Sequence, residues 1–177
     1  DGLSGEGPAW VADNLYRRII FVEPSFIRVD ADEVTYPAHV ILRTRLEQAM
    51  LTGDLALRDL PGAWDDTMQE LLGIKPPEDR LGCLQDIHWY DGAWGYFPTY
   101  TLGAMAAAQI FQSAQTADEG ILPSIAEGNF KPLMVWLRKN IHGLGCLYTA
   151  DELLERATGR PLDQSSFKVH LQERYLD

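Results

Sequence analysis

Basic residues are scarce: 15 Lys and Arg stand against 26 Asp and Glu in 177 residues, a formal net charge of −11. A nucleic-acid partner needs a basic surface that releases counterions, so that class of function is excluded. Cysteine is nearly absent. Cys83 and Cys146 have neither metal-site nor disulfide-framework spacing, and both are expected to be reduced thiols of a cytoplasmic protein. No apolar run is long enough to cross a membrane, and no signal peptide is visible. The first residue is Asp1 rather than Met, so a piece of a longer protein is expected. Recognisable chemical motifs are also missing. His39, His88, His142 and His170 never fall three or four residues apart, the spacing that puts two imidazoles on one helix face. There is no Gly-x-Ser-x-Gly elbow, no cysteine with a signature of activation and no phosphate-cradling glycine loop.

What the chain does have is a globular composition, 46% hydrophobic, at a length that supports one real core. Positions 1–8, rich in Gly, read as a flexible lead-in, and 9–177 as a single helical domain. Apolar spacing predicts a helix over 9–21 and a long one from Asp32, as cap, to about Leu51, stopped by Gly53. Pro37 is expected to distort the start of that helix. Val34, Ala38, Ile41, Leu42, Leu46 and Ala49 form its apolar band, and Arg43 with Glu47 reads as an i,i+4 pair in the less favoured charge order. A short segment at 55–60 and a helix at 64–72 precede Pro76 and Pro77. Small residues dominate 99–117, which reads as a central buried helix. Further helices are expected near 118–128, 130–142, 150–158 and 163–175, with Thr149 and Asp163 as caps and Gly143 and Gly159 as stops. No sheet and no internal repeat is readable, so the fold class is all-α.

Two strings carry the chemical information. In Gly82-Cys83-Leu84-Gln85-Asp86-Ile87-His88-Trp89 and the following stretch to Tyr100, an amide, a carboxylate, an imidazole and phenols crowd among bulky rings. Buried polar atoms need partners, so this suits a polar pocket better than a solvated loop. Six aromatic residues lie between 89 and 100. In the second string, Ile27 to Tyr36, Arg28 precedes the acids Asp30, Asp32 and Glu33. That arrangement is either a structural ion-pair network or an anion grip held by carboxylates, and by residue type alone the network is the stronger reading. His88 alone reads as a satisfied core histidine. Gln85 and Asp86 read as loop-ordering groups, with Asp86 also able to orient an imidazole. Tyr96 and Tyr100 alone read as packing residues.

Together the strings fill every fixed position of Ile-Arg-x-x-Ala-Asp and Gly-x-x-Gln-Asp-x-His-Trp, so the chain resembles the carboxypeptidase Taq family of zinc metallocarboxypeptidases. Asp32 to Tyr36, His39 to Arg43, Gly95 to Gly103 and Trp136 to Arg138 with Ile141-His142 also look like the family. The family's His-Glu-x-x-His zinc helix and its further glutamate ligand are not in this sequence, which resembles the C-terminal part of such an enzyme. The resemblance implies the C-terminal part of an all-α, neurolysin-like zincin fold, usually a homodimer. The reaction implied is zinc-dependent removal of single residues from peptide C-termini. Zinc, or another divalent metal, is implied for the full-length enzyme, with no metal in this chain, which alone is expected to be inactive. The missing N-terminal part of the same protein is then an implied partner. Arg28 is assigned by resemblance to the substrate carboxylate, with Asp30 or Asp32 supporting its guanidinium. His88, with Tyr96 or Tyr100, is assigned to the substrate backbone or developing oxyanion, and Gln85 and Asp86 to ordering the substrate-binding loop. The resemblance turns Arg28 and His88 from structural into functional candidates. The rival reading is a non-catalytic helical interaction or dimerisation module that keeps the fold.

Overall fold

The computed structural model describes Gly7 and residues 10–176. The expected lead-in at 1–8 therefore lies, apart from Gly7, outside the described residues. The described residues are helical with no strand. The helices are α1 (Ala12–Ile19), α2 (Tyr36–Thr52), α3 (Leu60–Leu72), α4 (Pro98–Ala117), α5 (Ile121–Ala126), α6 (Lys131–Asn140), α7 (Ala150–Thr158) and α8 (Ser165–Tyr175). No described helix is long and apolar enough to cross a membrane. Internal contacts divide the chain into Asp1–Thr101 and Leu102–Asp177.

In the first unit α2 packs on α3. Their interface is a core of Leu42, Leu46, Leu60, Trp64, Met68, Leu72 and Cys83. A proline in the first turn gives up only an N–H that has no intrahelical partner, so Pro37 is tolerated at the start of α2, where the Thr35 carbonyl accepts from Ala38 at 3.0 Å and from His39 at 3.4 Å. Asp32 acts one step earlier than expected. Its carboxylate accepts the backbone N–H groups of Val34 and Thr35, both at 2.9 Å, and so shapes the turn that leads into α2. Gly53 closes the helix at φ +84°, the left-handed position that favours glycine. The inward face of α2 is more polar than its sequence implied. His39, Arg43 and Glu47 are buried beside Val40, Leu42 and Leu46, whereas Ile41 is exposed. Arg43 and Glu47 do not form the i,i+4 pair expected of them, because each is taken by a different partner in the 82–97 segment.

The second unit holds most of α4 and the helices after it. Here α4 departs from expectation: Gln109 and Ala114 are its only buried residues, and Gly103, Ala104 and Ala107 are exposed. Gln109 instead organises the turn between α7 and α8. Its amide N–H group donates to Thr158 Oγ1 at 2.8 Å and to the carbonyls of Arg160 and Pro161 at 3.1 Å, while its oxygen accepts the Asp163 N–H at 3.2 Å. Thr149 opens α7 with a reciprocal capping box to Glu152, and Gly159 closes it at φ +77°. Asp163 Oδ1 accepts the Ser165 N–H at 2.7 Å and so starts α8. Gly143 does not end α6, which stops at Asn140. It lies in a 3-10 turn that follows.

Candidate functional site

The site is built from three segments of the first unit: the turn at Arg28–Asp30, helix α2, and the segment from Gly82 to Tyr100. Gly82 lies against Trp64, whose ring a Cβ at this position would meet at contact distance, 3.4 Å. Gln85 then ties the segment to the Arg28 turn. Its Oε1 accepts the Arg28 N–H at 2.8 Å, and its Nε2 donates to the carbonyls of Phe26, Leu81 and Gly82 at 2.9, 3.0 and 3.1 Å.

Asp86 is the hub. Its Oδ1 accepts from Arg28 Nε at 3.0 Å and Nη2 at 2.7 Å, and its Oδ2 accepts from Arg43 Nε at 2.5 Å. Burial, the largest single influence, pushes the Asp86 carboxyl up. The two guanidiniums together outweigh it and hold the group below the usual carboxylate range. Burial likewise works against the charge on Arg28, but the Asp86 and Tyr36 contacts reverse the balance and raise its pKa. The carboxylate expected to support Arg28 was Asp30 or Asp32. The structure gives that place to Asp86, since Asp30 is exposed and Asp32 is occupied by the N–H groups of Glu23, Val34 and Thr35 and the Thr35 hydroxyl. Those donors outweigh partial burial and lower the Asp32 pKa.

Arg28 is 5% exposed. Its Nη1 donates to the Tyr36 hydroxyl at 2.7 Å, and its guanidinium lies over the Tyr100 ring, 4.9 Å from the centroid. These contacts leave one N–H on each terminal nitrogen undirected, enough for a two-point contact with a further carboxylate.

His88 sits on the same cluster. Its Nε2 is 2.9 Å from the Tyr100 hydroxyl, and its Nδ1 faces Asp86 Oδ1 at 3.7 Å, beyond hydrogen-bond range. Phe97 packs against the ring at a centroid distance of 4.4 Å, and Tyr96 lies 5.9 Å away with nearly half its surface exposed. Arg28, Gln85, Asp86, His88, Tyr96 and Tyr100 are therefore brought together, whereas Asp30 and Asp32 stand outside.

Sequence reasoning missed the buried wall contributed by α2. Arg43 donates from Nη1 to the His39 carbonyl at 2.9 Å and lies over Trp64 at 4.6 Å. Burial pushes its pKa down to about 10, so it stays charged at neutral pH. Glu47 accepts from Trp89 Nε1 at 2.7 Å and from the Gly95 N–H, fixing the aromatic loop to α2. Gly95 has φ +76°, which a side chain would strain. His39 is fully buried, and its ring nitrogens make no hydrogen bond of good geometry beyond a weak approach to the Ser25 backbone. Desolvation, then the charges of Arg43 and Arg28, bring its pKa down to about 4. The available signal was spacing: 39, 43 and 47 repeat every four residues along one face.

Among the described residues no group of three His, Cys, Asp or Glu is placed to hold a metal ion. The residues of this cluster do not fit a metal.

Comparison with known proteins bears on this geometry. Thermostable carboxypeptidase 1 of Pyrococcus furiosus is 40% identical over 167 residues, which is 94% of this chain and 34% of that protein. Thermostable carboxypeptidase 1 of Thermus thermophilus is 44% identical over 154 residues, 87% of this chain and 30% of its own. The structure of Trypanosoma cruzi metallocarboxypeptidase 1 superposes with a TM-score of 0.93 at 39% identity, covering 98% of this chain and 36% of that one. The chain thus spans about a third of the length of these relatives. The carboxypeptidase Taq (M32) metallopeptidase family matches residues 3–175, and with both motif strings folded into one cluster the chain belongs to that family.

Proposed function

We propose that this chain is the C-terminal, substrate-binding portion of a metal-dependent carboxypeptidase that removes single residues from peptide C-termini. The metal that supplies Lewis-acid chemistry to such a reaction would be held by residues outside this chain. On this reading the chain alone is inactive, works in the cytoplasm, and assembles with the N-terminal part of the same protein in a homodimer. These points rest on family membership.

The observation that carries the proposal is the shared cluster. Arg28, Asp86, His88 and Tyr100 are joined through hydrogen bonds and ring contacts. Arg28 receives the free carboxylate of the peptide on its two undirected N–H groups. His88 and Tyr100, bonded to each other through His88 Nε2, offer one donor between them to the substrate carbonyl, with Tyr96 at the exposed edge. A preorganised donor of this kind lowers a barrier by about 3 to 4 kcal/mol. Asp86 orients both Arg28 and the loop that carries His88.

The test uses the complete protein carrying this chain. Arg28→Ala is expected to raise KM for free-acid peptides by about tenfold or more, since a charge-assisted contact is lost. Equal KM values for variant and parent would defeat the assignment. Absence of zinc and of any peptidase activity in the complete protein would favour the interaction-module reading instead.

A further inference from the structure

Two guanidiniums share one carboxylate in the buried cluster. Arg28 and Arg43 both bond to Asp86, one to each oxygen. Every other nearby acid is turned elsewhere: Glu47 toward Trp89 and Gly95, and Asp32 toward the backbone of Glu23, Val34 and Thr35. His39 is neutral at pH 7, and His88 adds no negative charge. Arg28 and Arg43 therefore share a single directly bonded carboxylate, while the charge of Glu47 is directed at neutral donors rather than at either guanidinium.

Burial makes this imbalance costly, because a charge taken out of water needs a counter-charge or strong hydrogen bonds. Aromatic rings supply part of the compensation. Arg43 lies over Trp64 and Phe97, and Arg28 over Tyr36, Phe97 and Tyr100. An incoming anion would supply the rest. Were Arg43 absent, Asp86 would neutralise Arg28 alone, and the pair would present no net attraction to a second carboxylate.

We propose that Arg43, which touches no substrate, is a specificity-determining positioning residue: it occupies Asp86 so that the charge of Arg28 remains available to a peptide's terminal carboxylate. The low pKa of His39, set partly by these same two arginines, fits a positive field at this place. The inference rests on Arg28 being the carboxylate grip.

The experiment uses the complete protein carrying this chain and a matched pair of dipeptide inhibitors, one with a free C-terminal carboxylate and one amidated. The readout is the ratio of the two inhibition constants, which loss of folded protein does not move. Arg43→Met removes the charge and should collapse the preference for the acid by about tenfold or more, with the amide unchanged. Arg43→Lys keeps the charge but loses the planar fork, and should preserve the ratio to within about threefold. A parental ratio in Arg43→Met overturns the inference. So does a lost ratio in Arg43→Lys, which would mean that Arg43 acts by shape, and this variant decides the matter if Arg43→Met does not fold. Arg28→Ala separates the two levels. If it keeps the acid preference, the carboxylate assignment itself falls; if it loses the preference while Arg43→Met keeps it, only the role of Arg43 falls.

Discussion

Asp86 shows how one residue can decide whether a polar cluster is a scaffold or a liability. Its two oxygens bind different arginines from different segments, so the carboxylate is the only negative group between two buried positive ones. Asp86→Asn keeps the shape but leaves both guanidiniums without a counter-charge. Removing one partner of a buried ion pair costs about 3 to 5 kcal/mol, and the variant is expected to lose stability in that range in urea unfolding at pH 7. A loss below about 1 kcal/mol would mean that water reaches both arginines. The sequence displayed Arg28, Gln85, Asp86 and His88 as candidates because they stand in two dense strings. It did not display the Arg28–Asp86 pairing, since residues 58 positions apart leave no local trace. Proximity in sequence pointed to Asp30 and Asp32 instead, and backbone N–H groups had a stronger claim on Asp32.

Helices are more legible than their faces. The caps of α7 were readable because a capping box is local: Thr149 Oγ1 accepts the Glu152 N–H while Glu152 accepts the Thr149 N–H, and Gly159 supplies the left-handed stop. Thr149→Ala removes one half of that exchange. The expected cost is about 1 kcal/mol, measured as a lower urea midpoint at unchanged m-value, and an unchanged midpoint would show that α7 is held by packing of Leu154 rather than by its cap. Burial of a face depends on what lies opposite and is written nowhere within the helix. For α2, Arg43 and Glu47 read as partners of each other, yet the 82–97 segment supplies a different partner to each. For α4, the small residues looked like a buried surface, yet Ala114 alone among them is buried.

Across the whole molecule, acid sensitivity follows from how charge is distributed. The chain carries a net charge of −11, so falling pH at first reduces repulsion among surface carboxylates. The buried cluster works in the opposite direction. His39 has a folded pKa of about 4, below its ordinary value of about 6.5. Between those values the unfolded chain binds a proton that the folded chain refuses. Stability therefore rises with pH through this window: the His39 contribution is complete above about pH 6.5 and is lost as pH falls toward 4. Asp86 and Asp32, whose pKa values are also lowered, contribute stability that is lost only at lower pH, as the unfolded carboxylates begin to protonate. His39 is thus the first of these buried groups to weaken the fold. The two pKa values correspond to a loss on the order of 3 kcal/mol between pH 7 and pH 4. The His39 imidazole has at most a weak contact with the Ser25 backbone to lose, so His39→Phe removes the titration while retaining an aromatic ring. Urea unfolding at pH 7, 5.5 and 4.5 is expected to show a steep decline for the parent and a markedly flatter one for His39→Phe. Parallel declines would assign the acid sensitivity to the carboxylates and remove His39 from the account.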